Sequence, residues 1–354
     1  MKRSLAWVPV SVVVVALAGV PLVAPPTAHA DGDVTITLSP DGQMLASELG
    51  ISLAELEQRI EGEIADAYDT ANVEGFLRAF ANATSFAGRG IGHDYAPLFR
   101  GLEIGVAANL SAAVDGLEEG QDPAGGVAPN VSLMAGLNLS HWGHDDIVIY
   151  ANGFHRQGSI DQLSGSITSG GVHGQYHLFY PAKRASTLLF LWSGLHLTAG
   201  VEVSRWALGV DDQITRDLPL EGDNGVSTTL TALATGTFDL TATTTTIPIE
   251  VTTSARILYF AGVYLGAGLD VQVGKARAEA ALDGVLTAVK PSDGTTLDMG
   301  TATITASGEE SPSPVAYHVL AGLEFNFWRL KTFVQGTFVP VKGASVAFGV
   351  RVKL

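Results

Sequence analysis

The chain ends on SVAFGVRVKL, residues Ser345 to Leu354, in which Val346, Phe348, Val350, Val352 and Leu354 alternate without a break with Ser345, Ala347, Gly349, Arg351 and Lys353. A two-residue period places alternate side chains on opposite faces of a strand. One face is aliphatic or aromatic, the other small or charged. That division suits a wall with lipid on one side and a polar lumen on the other better than it suits the core of a sandwich.

The same grammar recurs upstream. Leu102, Ile104, Val106, Ala108 and Leu110 alternate with Glu103, Gly105, Ala107, Asn109 and Ser111, and Val131, Leu133, Ala135, Leu137 and Leu139 with Ser132, Met134, Gly136, Asn138 and Ser140. Leu195, Leu197, Ala199, Val201 and Val203 oppose His196, Thr198, Gly200, Glu202 and Ser204; Val263 to Val273 follow the same rule. Residues 144–157 and 331–339 alternate less cleanly, and their facing stays open. Short links at His141–Asp145, Pro181–Ser186, Ser254–Leu258 and Phe327–Lys331 alternate with long polar ones at 115–127, 157–166, 212–226 and 287–312. Short turns on one side and long loops on the other are the habit of outer-membrane barrels. The expectation is an all-β fold, a closed antiparallel transmembrane β-barrel of about ten strands, with twelve if 227–254 or 280–310 hides a further hairpin. The flanks 227–242 and 273–310 are too polar for lipid and read as strand extensions beyond the membrane. Closure should set Gly101–Leu110 antiparallel to Ser345–Leu354, with Glu103 beside Arg351 and Lys353.

Composition agrees. The chain has 354 residues, 41 glycines, no cysteine and a formal net charge of −16, with a mean hydropathy of +0.26. Strong acidity argues against nucleic acid as a partner. Without cysteine there are neither disulfides nor thiolate metal sites, and no cofactor is expected. The acidic residues gather in the long connections and Lys183, Arg184, Arg256, Arg329 and Lys331 in the short turns, so the acidic end should face outward. There it is solvated or bridges divalent cations to anionic lipid heads.

Lys2 and Arg3 precede an apolar run that closes on Ala28-His29-Ala30, the pattern of a cleaved secretory signal peptide over residues 1–30. Residues 31–98 read as a helical lead-in or plug, and 99–354 as the barrel. Val34–Leu38 is a short strand. Ser52 and Glu55 have capping-box spacing ahead of a stripe of Leu53, Leu56, Ile60, Ile64 and Ala67, which should contact the lumen or its mouth, and a second helical turn carries Val73, Phe76, Leu77 and Phe80. Gly88-Arg89-Gly90-Ile91-Gly92-His93-Asp94 looks like a phosphate loop, yet it lacks the preceding strand and following helix that such a loop needs. It reads as a tight turn into the barrel.

With its leader, cysteine-free acidic chain and periodic strands, the sequence resembles the bacterial outer-membrane β-barrel proteins over residues 101–354. It departs from them in ending on Leu354 rather than an aromatic residue. The helical lead-in with Gly88 to Ala96 is similar to an uncharacterised group of such proteins, for which no activity is implied. The resemblance implies a Gram-negative cell outer membrane as the location. The partners it implies are outer-membrane lipids and lipopolysaccharide, the outer-membrane assembly machinery and small solutes.

Lumen-lining candidates are Glu103, His173, His177, His196, Glu202, Glu250, Asp270, His318, Glu324, Arg351 and Lys353. A carboxylate-rich lumen would prefer cations, or would be a hydrogen-bonded interior that closes the barrel. The function expected is a passive small-solute channel or porin-like transporter, with a non-conducting surface adhesion or structural barrel as the alternative. Ser204 and His196 share a strand face without a complete catalytic set, so the chain is not expected to be an enzyme. His141, His144 and Asp145 read as plain polar turn residues, and Asn82, Asn109, Asn130 and Asn138 match a glycosylation pattern by chance.

Overall fold

The computed structural model describes residues 31–52, 54–55, 58, 72–96, 101–117, 123–179, 190–223, 225–257 and 260–354. In chain order the elements are β1 (Asp31–Leu38), α1 (Pro40–Leu49), α2 (Val73–Phe86), β2 (Leu102–Asp115), β3 (Ala124–Asn138), β4 (Ile147–Ile160), β5 (Leu163–Phe179) and β6 (Phe190–Glu221). They continue with β7 (Ser227–Ile257), β8 (Ala261–Val289), β9 (Thr296–Glu310), β10 (Val315–Phe327), β11 (Leu330–Val339) and β12 (Gly343–Lys353).

All strands belong to one antiparallel sheet, and ten of them close into a ring in the order β2 to β8, β10, β11, β12. The seam joins β12 to β2, with Lys353 opposite Glu103 and Val346 opposite Leu110. Closure removes the open edges that a sheet in hydrocarbon could not satisfy. β9 lies outside the ring, paired to the far half of β8, and β1 pairs with β9. Among the described residues the sheet therefore has twelve strands and the barrel ten.

Side chains divide by parity as the sequence pattern requires. Ile104, Val106, Leu110, Leu133, Val201, Val203, Leu265, Val319, Phe348 and Val350 are exposed on the outer wall, while Asn109, Ser111, Ser132, Thr198, Glu202, Thr252 and Asp270 are buried inside. An apolar exterior over a polar interior is the solution for a wall facing lipid. Around the short-turn rim stand the exposed Trp142, Phe179, Phe190, Phe260, Phe327 and Trp328, a girdle of the kind found at membrane interfaces. On β4 and β6 the outward row turns polar at the exposed His155 and Arg205.

Beyond that level β6, β7 and β8 continue and, with β9 and β1, build an extension on the rim opposite the short turns. Here the expectation of long loops needs correcting. Residues 157–166 are the ends of β4 and β5 joined by Asp161 and Gln162, 212–221 belong to β6, and 287–312 hold the end of β8 and all of β9. Only 116–123 separates β2 from β3, so most of that polar stretch is a true connection. Strands above the lipid carry no obligation to be apolar on one face, so their composition resembles that of loops.

The extension has its own core, in which Leu45, Ala46 and Leu49 of α1 and Ile51 pack on Leu230, Leu286, Ala288, Leu297, Met299 and Ala302. Helix α1 was not foreseen. Its signals are local: Ser39 accepts from the backbone N–H groups of Asp41 and Gly42, Pro40 fills the first turn, and Gly50 ends the helix at φ 72°. Ser52 accepts from the Glu55 N–H at 3.2 Å as its capping spacing suggests. The stripe Leu53, Leu56, Ile60, Ile64 and Ala67 lies outside the described residues.

Helix α2 runs from the extension into the ring. From Ala79 to Phe86 it is buried on every side, and its small residues Ala79, Ala81, Ala83 and Ser85 let a helix fit where larger side chains would not. Gly126 on β3 is a point of close approach, where an added Cβ would meet the backbone of Ala79 and Phe80. Near the mouth Arg78 pairs with Asp115 at 3.2 Å and Glu310 at 3.0 Å. The hydrogen bond to Glu310 raises its already high pKa.

Gly126→Val should therefore push α2 off the wall and destabilise the barrel by about 1–3 kcal/mol or more, the cost of overpacking. Gly125→Ala, whose Cβ would find only the Ala113 carbonyl at 3.9 Å, should leave the urea midpoint of detergent-folded protein unchanged.

Candidate functional site in the barrel lumen

Every residue from Ala79 to Ala96 is buried. The end of α2 and residues 87–96 occupy the lumen, and the wall is built to receive them. A helix C-terminus leaves carbonyls without intrahelical partners, and here wall side chains supply the donors. Ser111 Oγ donates to the Ala83 carbonyl at 2.7 Å, Asn109 Nδ2 to those of Phe86 at 3.2 Å and Arg89 at 2.7 Å, and Asn130 Nδ2 to that of Ala87 at 3.3 Å. Thr246 Oγ1 donates to the Ser85 carbonyl at 3.4 Å. Asn109 and Asn130, which match a glycosylation pattern only by chance, are receptors for this segment.

Below the helix two charged groups follow. In the first, Arg89 sits 3.4 Å from Glu250 and in contact with Asp270, and His93 lies 3.2 Å from Glu250. His318 bridges the same two carboxylates at 3.0 and 3.2 Å. Tyr95 donates to Glu250 at 3.4 Å and stacks on Tyr264. His173 pairs with Glu202 at 3.3 Å, and Gly92 packs so close to that pair that an added Cβ would stand 2.6 Å from His173 Nε2.

The second group lies nearer the short-turn rim. Asp94 is held by Lys331 at 2.5 Å and Arg351 at 3.1 Å, and it also accepts from the Ala96 N–H at 3.1 Å. Lys331 also meets Glu324 at 3.2 Å and the Ala96 carbonyl at 2.8 Å. Arg351 donates to the His93 carbonyl at 2.6 Å, lies 3.9 Å from Glu103 across the seam, and stacks over the Phe333 ring at 4.0 Å. Lys353 donates to Asn326 at 3.2 Å.

The sequence candidates thus fall into different environments. Glu250, Asp270, His318, Glu202 and His173 surround Arg89 and His93; Glu103, Glu324 and Arg351 surround Asp94. His177 and His196 stand apart, their rings edge-on at 4.3 Å. His196 meets the Ser193 hydroxyl at 3.3 Å, not Ser204, and Ser193 donates to the Ser254 carbonyl at 2.8 Å. Of the two readings of the lumen, the geometry fits the paired, hydrogen-bonded interior: Glu103, Glu202, Glu250, Asp270, Glu324 and Asp94 each have an Arg, Lys or His within ion-pairing distance. Sequence reading took Arg89, His93 and Asp94 as part of a tight turn without a role in the lumen, did not single out Tyr95, and placed Lys331 in a basic turn although it is fully buried inside. Among the described residues, no group of three or more His, Asp or Glu is disposed to hold a metal ion.

A family model described as Lsa36-like matches residues 29–354. The chain belongs to the Lsa36-like family. No curated protein matches its sequence. Among solved structures, this family member is similar to the translocator domain of autotransporter NalP from Neisseria meningitidis, at 10% identity and a TM-score of 0.31 over 77% of this chain and 93% of that one. It is similar to the Ralstonia pickettii toluene transporter TbuX, at 8% identity and 0.27 over 80% and 99%. The attachment invasion locus protein Ail of Yersinia pestis gives 10% identity and 0.24 over 72% and 98%. At such values no activity passes from them to this chain.

Removing one member of a buried ion pair strands the other charge, at a typical cost of about 3–5 kcal/mol. Asp94→Asn should lower stability by an amount of that order. In a double-mutant cycle with Lys331→Met the two losses should be strongly non-additive in guanidinium unfolding. The buried Ala83 and Ala128 share one packing cluster, so Ala83→Cys with Ala128→Cys should crosslink on oxidation in an otherwise cysteine-free chain.

Proposed function

We propose that the chain is an integral outer-membrane barrel closed by its own residues 72–96, a non-conducting surface barrel that carries its sheet extension outside the cell. The observation that carries this is the unbroken burial from Ala79 to Ala96, with Arg89, His93 and Asp94 paired to the wall. A porin-like path for small solutes would require that segment to leave, breaking the carbonyl receptors and the ion pairs together. The membrane setting is supported by the apolar outer wall and the aromatic girdle. The sidedness follows the rule that short turns face the periplasm and the longer elements face outward. Outer-membrane lipids would meet the outer wall, and lipopolysaccharide the base of the extension.

Refolded protein in planar bilayers should be silent. Arg89→Ala with Asp94→Ala, which removes the segment's main charged contacts with the wall, should give transient openings, and deletion of residues 72–96 should give steady ones. A steady conductance from the full chain would overturn the closed-barrel reading and restore the channel.

A further inference from the structure

The path of the chain through the barrel has a topological consequence. β1 pairs along its whole length with β9, from Asp31 opposite Ser307 to Leu38 opposite Gly300, and β9 is hydrogen-bonded to the end of β8 beyond the ring. The helix that follows, α1, is built into the extension core. α2 then enters the ring against β3, β2, β7 and β8. Asp94 and Ala96 reach Lys331, beside the short-turn rim, where β2 begins with Leu102 opposite Leu137. The N-terminal segment therefore crosses the barrel inside it, end to end. Ten wall strands return the chain to the rim where it started, so Leu354 lies at the short-turn rim, its N–H bonded to the Leu102 carbonyl. The internal pass puts the first described residues at the other end.

We propose that the barrel exports and displays its own N-terminal segment: residues 31–49 travel through the lumen and are presented at the cell surface as part of the extension, while the C-terminus stays periplasmic. The inference rests on the sidedness given above. Three features fit a segment that passes through rather than one that docks from the side. Its helical part carries small residues at Ala79, Ala81, Ala83, Ser85 and Ala87, interspersed with Phe80 and Phe86. The wall offers donors along its length at Ser111, Asn109 and Asn130. The element beyond it, α1 on its five-stranded support, is far wider than the lumen that α2 fills. Passage must therefore precede folding of the extension, and once β1 pairs with β9 the segment is held at both ends, by that sheet above and by Asp94 below.

The absence of cysteine makes the test clean. Single variants Thr35→Cys and Thr37→Cys on exposed β1 positions, Ser227→Cys at the β6–β7 end and His144→Cys in a short turn are expressed in full-length protein, checked for folding by heat-modifiable migration, and treated on intact cells with a membrane-impermeant maleimide. The expected result is labelling of positions 35, 37 and 227 to similar extents, with position 144 reacting only after permeabilisation. Labelling at 227 with 35 and 37 silent overturns self-export and leaves the sidedness standing. Labelling at 144 with 35, 37 and 227 silent overturns the sidedness and, with it, the display.

Discussion

A carboxylate buried among cations organises this molecule: Asp94, inside the barrel, lies between the ammonium of Lys331 and the guanidinium of Arg351. Neither cation could be left alone at that depth, because an unpaired buried charge costs several kcal/mol. Arg351 sits on the last strand, two residues from the seam pair of Lys353 and Glu103, and Lys331 opens the strand beside it. Asp94 of the lead-in thus joins Glu324 and Glu103 of the wall in balancing the positive charges of the closing strands. Closing the ring and filling it are consequently coupled, and a chain lacking the segment would bring β11 and β12 together with only Glu324 and Glu103 beside their cations.

The same coupling explains how the charges of a polar interior find partners. A barrel of ten strands is wider than its own small inward residues can fill, since glycines and alanines occupy many of those positions. The helix end and its irregular continuation supply the missing volume, and the wall returns donors to its carbonyls. Above the membrane level the energetics change character. There α1 and the ends of β7, β8 and β9 make an apolar core, and each buried Leu contributes about 1.5–3 kcal/mol in the usual way. The protein is thus held by hydrocarbon burial in the extension, by backbone pairing in the wall and by ion pairs in the lumen.

Much of the wall was legible because parity is a strong signal wherever one side faces lipid and the other does not. The ring of ten, the pairing of Gly101–Leu110 with the final strand and the reading of residues 227–242 and 273–310 as strand extensions beyond the ring follow from it. The signal fails where its cause is absent. Residues 212–221 are strand, yet with no lipid beside them Asp211, Asp212 and Asp217 look like loop. Lys331 follows a turn in which Trp328 has φ 57°, and parity cannot be carried across such a turn from sequence alone. Arg89, His93 and Asp94 sit on irregular backbone without any period. A Gly-rich run carrying Arg, His and Asp ahead of a barrel was their only trace.

The central claim is that residues 79–96 form the filled interior of the barrel, and hydrogen exchange on the folded protein tests it most directly. Amides from Ala79 to Ala96 should exchange as slowly as those of neighbouring wall strands β2 and β12, and Asp94→Asn should speed the lower part of the segment first. Exchange of the wild-type segment at the rate of a free linker, with β2 and β12 protected, would contradict the account.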